Sequence, residues 1–142
     1  VVGSGDGTEI KEIQKKGIEV KGITISPPEA KFARQQGLDV KVMDMHQLKF
    51  EPREFDLIYS KDCFKQGMAP VIVWGELTRV ASRYILLSEP DNRWAHRAHN
   101  HLLLTKNQFE VLAEKFGWRL IKFWKLDHGY VEQRNFLFER VY

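Results

Sequence analysis

One cysteine, Cys63, is the only thiol among 142 residues. That scarcity excludes an internal disulfide framework and a cysteine-built zinc site, and it fits a reducing compartment. Long apolar runs are missing as well. No stretch approaches the roughly 18 residues of a membrane span, and the first residues lack the basic start and apolar stretch of a secretory signal. Charge of one sign is nowhere concentrated: 22 Lys and Arg against 19 Asp and Glu leave a net charge of +3, spread along the chain. So weak a basic bias does not mark a nucleic-acid binder. Internal repeats, low-complexity tracts and linkers are absent too. What is left is the length of one domain, enough to bury an ordinary core, expected to be soluble and cytoplasmic.

The apolar pattern alternates between strand and helix. Val1-Val2 reads as the end of a buried strand that runs into the glycine-rich Gly3-Ser4-Gly5-Asp6-Gly7. A strand normally has about five residues, so this first strand is either cut or shortened at its amino end. A helix is expected from about Thr8 to Lys16, stopped by Gly17, and a strand over Glu19–Ile25. Ser26-Pro27-Pro28-Glu29 joins a capping serine, prolines in the first turn and a glutamate three positions on, the pattern of a capping box. Its helix is expected to turn Ala30, Ala33 and Phe32 inward and to end at Gly37. Strands follow at Asp39–Met43 and Phe55–Ser60, the latter nearly continuous in apolar residues, as a parallel strand covered on both faces requires. Helical spacing of Val73, Trp74, Leu77 and Val80 predicts a helix from about Ala69 to Ala81, before a strand over Tyr84–Ser88. Thr105-Lys106-Asn107-Gln108 is a second capping box, with Phe109, Leu112, Ala113 and Phe116 on one face. Two final strands, about Arg119–Leu126 and Asn135–Val141, have no crossover helix between them and should form an antiparallel hairpin. The whole reads as an α/β sandwich with a mainly parallel sheet. The longest stretch without a clear element is Glu89–Leu104, and a loop of that length in a compact domain is usually functional.

A glycine turn from strand to helix lets a ligand approach bare backbone amides at the carboxyl ends of the strands. The dinucleotide fingerprint needs glycine or alanine at a position held here by Thr8. The match is instead to G-x-G-x-G through Gly3, Gly5 and Gly7, which argues against a pyrophosphate-bearing cofactor.

The segments Val1–Thr8 (VVGSGDGT), Gly22–Ser26 (GITIS), Val42–Met45 (VMDM), Phe55–Ser60 (FDLIYS), Glu76–Val80 (ELTRV) and Ile85–Pro90 (ILLSEP) resemble the successive motifs of class I S-adenosylmethionine-dependent methyltransferases. The resemblance covers nearly the whole chain and implies one methyltransferase-like domain over residues 1–142, its first strand truncated at the amino end. It also implies a Rossmann-like three-layer sandwich with a seven-stranded sheet of order 3-2-1-4-5-7-6, strand 7 antiparallel. By the same resemblance S-adenosylmethionine is the cofactor. Gly3, Ser4, Gly5 and Gly7 would lie against its methionine part. Thr24, with Ile25 and Ser26 beside it, stands where most of the family carries an acidic residue for the ribose. The GITIS form is similar to the cyclopropane-fatty-acid synthase and sterol-type branch, where a polar residue five positions on helps; that position is Glu29. Asp44 would accept from the adenine amino group and Met45 pack beside the ring, while Ser60, Lys61 and Asp62 would border the transferring methyl. Structural uses compete: Asp44 can cap the turn after the third strand, Glu29 can complete its capping box, and Asp56 reads as structural.

Methyl transfer from a sulfonium is an in-line displacement. Much of its acceleration can come from alignment in a site that excludes water, with a base near neutral pKa helping a neutral acceptor. Three of the five histidines fall in Trp94-Ala95-His96-Arg97-Ala98-His99-Asn100-His101. His99 or His101 is the candidate base, with Trp94 and Arg97 lining a pocket for an apolar or planar acceptor. The alternatives are a solvated polar loop or a three-histidine metal set; no metal is expected, since nothing holds those histidines in a helical register. Cys63 reads as a packing residue.

The chain also departs from the family. Lys65 and Gln66 stand where many relatives carry a Glu-His pair, and the turn before the fifth strand shrinks to Ala81-Ser82-Arg83. With no helix ahead of the first strand, the acceptor site should be open, completed by a partner chain or a second copy. The expected activity is methyl transfer to a small-molecule or lipid-like acceptor. The alternatives are an RNA or protein methyltransferase, although Ser60-Lys61-Asp62-Cys63 lacks the Asn/Asp-Pro-Pro-Tyr/Phe signature of many base-amino enzymes, and a non-catalytic cofactor-binding or interaction module.

Overall fold

The computed structural model describes residues 1–66, 68–91, 104–127, 129 and 132–142. In chain order the elements are α1 (Thr8–Gln14), β1 (Gly22–Thr24), α2 (Pro27–Gln35), β2 (Val40–Val42), β3 (Phe55–Lys61), a 3-10 turn (Phe64–Gln66), α3 (Pro70–Val80), β4 (Ala81–Pro90), α4 (Lys106–Lys115), β5 (Trp118–Asp127) and β6 (Glu132–Arg140). No helix among the described residues is long and apolar enough to cross a membrane.

The two cap signals start the helices expected of them, in different ways. Thr105 accepts from the Gln108 N–H while the Gln108 side chain accepts from the Thr105 N–H, a complete capping box. Ser26 accepts from the Glu29 N–H at 3.5 Å, but the Glu29 side chain goes elsewhere, so the reciprocal half of the expected box is not made.

Parallel pairing joins β1 to β2 and β3 to β4, and β6 runs antiparallel between β4 and β5, giving the order β3-β4-β6-β5. The final hairpin thus goes out to the sheet edge and folds back inside it. Six strands in two sheets stand among the described residues instead of seven in one. Between the sheets lies Val2, which bridges in parallel to Ile23 on one side and Ser60 on the other. Val2 N–H donates to Tyr59 C=O at 2.8 Å and Ser4 N–H to Ile23 C=O at 2.8 Å, so the glycine turn leaves from the carboxyl ends of β1 and β3.

The larger core packs Trp74, Leu77 and Val80 of α3 and Phe109 and Ala113 of α4 onto Ile85, Leu87, Phe136 and Phe138 of the sheet. Trp74 meets Phe138 edge-on at 4.9 Å and Phe109 meets Phe136 tilted at 4.7 Å, arrangements their quadrupoles favour. A smaller core of Ile10, Ala30, Ala33, Leu38 and Val40 fixes α1 and α2.

Two burial expectations fail. Phe32 is 53% exposed. At about 100° per residue it lies some 200° around the helix from Ala30, opposite the face that Ala30 and Ala33 share. Leu57 is 47% exposed, so β3 is not covered on both faces: Ile58 and Ser60 point into the larger core while Leu57 points the other way. A cavity of about 310 Å³ opens there, bordered by Ile18, Val20, Phe55, Leu57 and Tyr59. It sits at the amino ends of the strands, away from the glycine turn, and so at the wrong end of an α/β sheet for the expected ligand.

The shortened turn at Ala81-Ser82-Arg83 is not a turn. Helix α3 passes directly into β4, and the carbonyls at that junction are taken by Arg140, whose guanidinium donates to Ser82 C=O at 3.1 Å, to Ala81 C=O at 2.6 Å and to Thr78 C=O. A side chain thereby does what a glycine cap does in other helices.

Candidate functional site

The carboxyl ends of β1, β2 and β3 carry most of the residues singled out from the sequence. Gly3, Gly5 and Gly7 all have left-handed backbone, with φ of 72°, 51° and 89°. They differ in what their Cα atoms face. A Cβ on Gly3 would lie 2.6 Å from Cys63 Cβ, so packing there leaves room for glycine only, whereas one on Gly7 would meet the movable end of the Leu38 side chain, and Gly7 is required by its left-handed backbone. Among the described residues a Cβ on Gly5 would meet nothing nearer than the Glu29 carboxylate oxygens, at 3.9 and 4.0 Å. Gly5 is therefore the glycine whose bare backbone looks onto open space, with an anion opposite. Ser4 turns its side chain inward, donating to Ile23 C=O at 3.2 Å, so what it offers the turn is backbone.

Glu29 reaches that space because Thr24 holds it. Thr24 Oγ1 donates to Glu29 Oε2 at 2.9 Å and accepts from the Ser26 N–H at 3.2 Å. Thr24 is buried, whereas Ile25, the next residue, is 70% exposed, an apolar side chain left uncovered at the mouth of the cleft. Across from it, Asp44 follows β2. Its Oδ1 accepts from the His46 N–H at 2.9 Å and from His46 Nδ1 at 2.6 Å, and these bonds, the backbone one first, hold its carboxyl below the usual range. Met45 is half-buried with its sulfur 3.6 Å from Cys63 Sγ. Asp44 does sit in a turn, Gln47 N–H donating to its carbonyl, yet its carboxylate remains largely open to solvent.

The end of β3 supplies a second wall. Ser60 is buried and its hydroxyl has no hydrogen-bond partner among the described residues. Lys61 Nζ lies 3.4 Å from Glu9 Oε1, spanning the glycine turn from β3 to α1. Asp62 has a left-handed φ of 54°, costly for a residue with a Cβ. Its N–H donates to Ser88 C=O at 2.8 Å and its Oδ1 accepts from Gln133 Nε2 at 2.9 Å, bonds that hold the strained turn in place. Beneath it Glu89 is fully buried, its two carboxylate oxygens accepting from the Phe64 and Lys65 N–H groups at 3.1 and 3.4 Å. Burial pushes its pKa up to about 7, against the pull of Lys65. Cys63 is likewise pushed up, to about 11, by burial, and is an inert packing residue against Gly3. Asp56 accepts from Ser82 Oγ at 3.3 Å across neighbouring strands, a structural use.

His96, His99, His101, Trp94 and Arg97 lie outside the described residues. Among the described residues no group of three His, Cys, Asp or Glu side chains is placed to hold a metal. Three contributors to the site escaped the sequence reading: His46, Glu89 and Gln133. Gln133 lies 71 positions from Asp62 and carries no local signal; only the hairpin brings it there. Glu89 was visible inside Ser88-Glu89-Pro90, but its burial was not.

This geometry agrees with comparisons to known proteins. The chain superimposes on a SAM-dependent methyltransferase from Methanosarcina mazei with TM-score 0.86 at 16% identity, covering 99% of this chain and 90% of that one. Magnesium protoporphyrin IX methyltransferase from Synechocystis, with SAH bound, gives 0.82 at 15% identity over 98% of this chain and 72% of that one. The cyclase SpnF gives the same 0.82, 15%, 98% and 72%. At such identities the likeness is one of fold, and one fold hosts more than one reaction. Family membership rests on the sequence match: residues 1–83 match the methyltransferase domain family, more than half of the 142 residues. The chain belongs to that family, the class I S-adenosylmethionine-dependent methyltransferases, whose motifs its glycine turn and strand ends carry.

Proposed function

We propose that this chain moves a methyl group from S-adenosylmethionine to a small-molecule or lipid-like acceptor by in-line displacement. The observation that carries the reading is the open face of Gly5 set opposite a Glu29 carboxylate that Thr24 has drawn away from the helix cap. A carboxylate facing bare backbone suits a diol next to a polar, extended chain, as a nucleoside with an amino-acid tail presents. Gly3, Ser4, Gly5 and Gly7 would flank the amino-acid end, with Lys61 beside it. Thr24, Ser26 and Glu29 would meet the ribose, and Asp44, between Ile25 and Met45, the base.

The cofactor, when bound, supplies a methyl group activated on a sulfonium. The chain's own part is to bind, align and keep water out. Ser60 and Asp62 stand at the end of β3, where the acceptor approaches. Asp62 is fixed there by Ser88 and Gln133, and it can take a hydrogen bond from the acceptor. His99 or His101 is the proposed base, with Trp94 and Arg97 lining the acceptor pocket. The GITIS form of the second motif supports the lipid-like branch of acceptors. We also infer that residues 1–142 act as one domain with the 3-2-1-4-5-7-6 strand order, Val2 standing in the first strand's place, and that a partner chain or second copy completes the acceptor site.

Calorimetry with S-adenosylmethionine and its demethylated product tests the reading. Both are expected to bind, and Gly5→Arg is expected to abolish binding in a protein that still unfolds cooperatively. Unchanged affinity in that folded variant overturns the assignment. Transfer of labelled methyl to a panel of lipid, quinone, amine and RNA acceptors then identifies the acceptor class; labelling of RNA alone overturns the small-molecule reading. His99→Ala should lower turnover more than cofactor affinity, and unaltered turnover removes it as the base.

A further inference from the structure

Asp44 is held by one neighbour in two ways. The His46 N–H donates to its Oδ1, the ordinary Asx turn. The His46 ring adds a second bond that such a turn does not need, Nδ1 to the same Oδ1 at 2.6 Å. A carboxylate only accepts, so Nδ1 carries a proton. The other ring nitrogen, Nε2, is buried without a hydrogen-bond partner among the described residues. A histidine at a turn could wet that nitrogen by swinging outward. This one stays against Asp44 and leaves Nε2 dry, at a cost that calls for an explanation. With both donors on Oδ1, no hydrogen bond from a described residue reaches Oδ2, and the Asp44 side chain is 57% exposed beside the uncovered Ile25.

We propose that His46 is a positioning residue that sets the base preference of the cofactor pocket, fixing the plane of the Asp44 carboxylate so that Oδ2 meets an exocyclic amino group. The inference rests on the cofactor reading of the cleft. Adenine offers N–H donors at that edge. Hypoxanthine offers a carbonyl oxygen there, which a fixed carboxylate repels. A carboxylate free to rotate turns aside from the wrong base and discriminates less. His46 touches no ligand itself and acts through Asp44.

The test is calorimetry on the 142-residue protein with S-adenosylhomocysteine and its hypoxanthine analogue, S-inosylhomocysteine. The wild type should prefer the adenine ligand by more than tenfold, the worth of one charge-assisted hydrogen bond. His46→Ala should cut that preference about tenfold, chiefly by weakening the adenine ligand. His46→Asn, whose side-chain amide can donate from near the Nδ1 position, should restore most of it. Thermal unfolding of each variant shows that it folds. An unchanged preference in His46→Ala overturns the proposal. Equal weakening of both ligands, unrescued by asparagine, assigns His46 a structural role and overturns it equally. If the wild type binds neither ligand, the cofactor reading itself fails, a result separate from either of these.

Discussion

Thr24 Oγ1 donates to Glu29 Oε2 at 2.9 Å, and that bond separates two uses of one glutamate. The sequence places Glu29 where it can close a capping box with Ser26 or serve the cleft. The structure divides the work: Ser26 Oγ still accepts from the Glu29 backbone N–H, while the carboxylate faces Gly5.

The division is measurable. Ser26→Ala should lower stability by about 1 kcal/mol, the usual worth of an N-cap, and leave cofactor affinity within twofold. Glu29→Gln keeps an acceptor oxygen but loses the charge; it should weaken S-adenosylhomocysteine about tenfold with little change in the unfolding midpoint. Paired denaturation and calorimetry decide it: a Glu29→Gln protein that loses stability and keeps affinity returns the residue to the cap.

Local signals carried most of the fold. Caps at Ser26 and Thr105, periodic apolar residues in α3 and α4, and the missing crossover before β6 are all short-range features, and the elements they announce are present. The errors came where burial depends on distant chain. Leu57 reads as a core strand residue until one sees that only one face of β3 is covered there, and Ala81-Ser82-Arg83 reads as a turn until Arg140 arrives from 57 residues beyond Arg83 to hold the helix end. In the site, the glycines and strand-end residues were legible as a motif, but their division of labour was not. Gly3 answers to Cys63, a contact no spacing announces. Gln133 acts by one hydrogen bond to Asp62 and His46 by two to Asp44, and such bonds leave no periodicity.

Glu89 should impose a pH dependence on stability. Its folded pKa, about 7, lies above the unfolded value of 4.5. Between these pH values the folded protein holds a proton that the unfolded chain has released, so the contribution of Glu89 to stability is fully present below about 4.5 and is lost as pH rises toward 7. Integrated, the loss is on the order of 3 kcal/mol. Glu89→Gln should remove this component, so the variant gains on the wild type as pH rises from 5 to 8. Urea midpoints for both proteins at four pH values check it; parallel curves would show that the carboxyl does not titrate with folding.

Arg140 should be intolerant even of lysine. Its guanidinium spans three carbonyls at the α3–β4 junction and lies over the Trp118 ring at 4.7 Å. A lysine ammonium cannot reach all three from one position, and a partly buried carbonyl left unmet costs 1–3 kcal/mol. Arg140→Lys is expected to destabilise by about 2 kcal/mol and Arg140→Ala by about 3 kcal/mol, with cofactor affinity unchanged because the junction lies at the far end of the sheet. Loss of binding without loss of stability in either variant would place Arg140 in the site instead.

Gly3 and Gly5 have similar backbones and should nevertheless respond differently to one added methyl group. Alanine at either position meets the cost of a left-handed backbone, about 1 kcal/mol. At Gly5 the methyl group enters the space in front of Glu29, so the penalty stops there and the further loss appears in cofactor affinity. At Gly3 it would lie 2.6 Å from Cys63 Cβ and 2.7 Å from Sγ, so the 62–66 turn must shift, at a further cost of about 1–3 kcal/mol. Cys63→Ser should not rescue Gly3→Ala, because the conflict is with Cβ as much as with sulfur. The same packing slows the thiol: with a pKa of about 11 and glycine backbone against one side of it, the partly buried Cys63 should react with iodoacetamide at pH 7.5 far more slowly than an exposed cysteine. In Gly3→Ala the shifted turn should expose it. Alkylation that is equally slow in both glycine variants would mean that the Gly3–Cys63 contact is not what closes that wall.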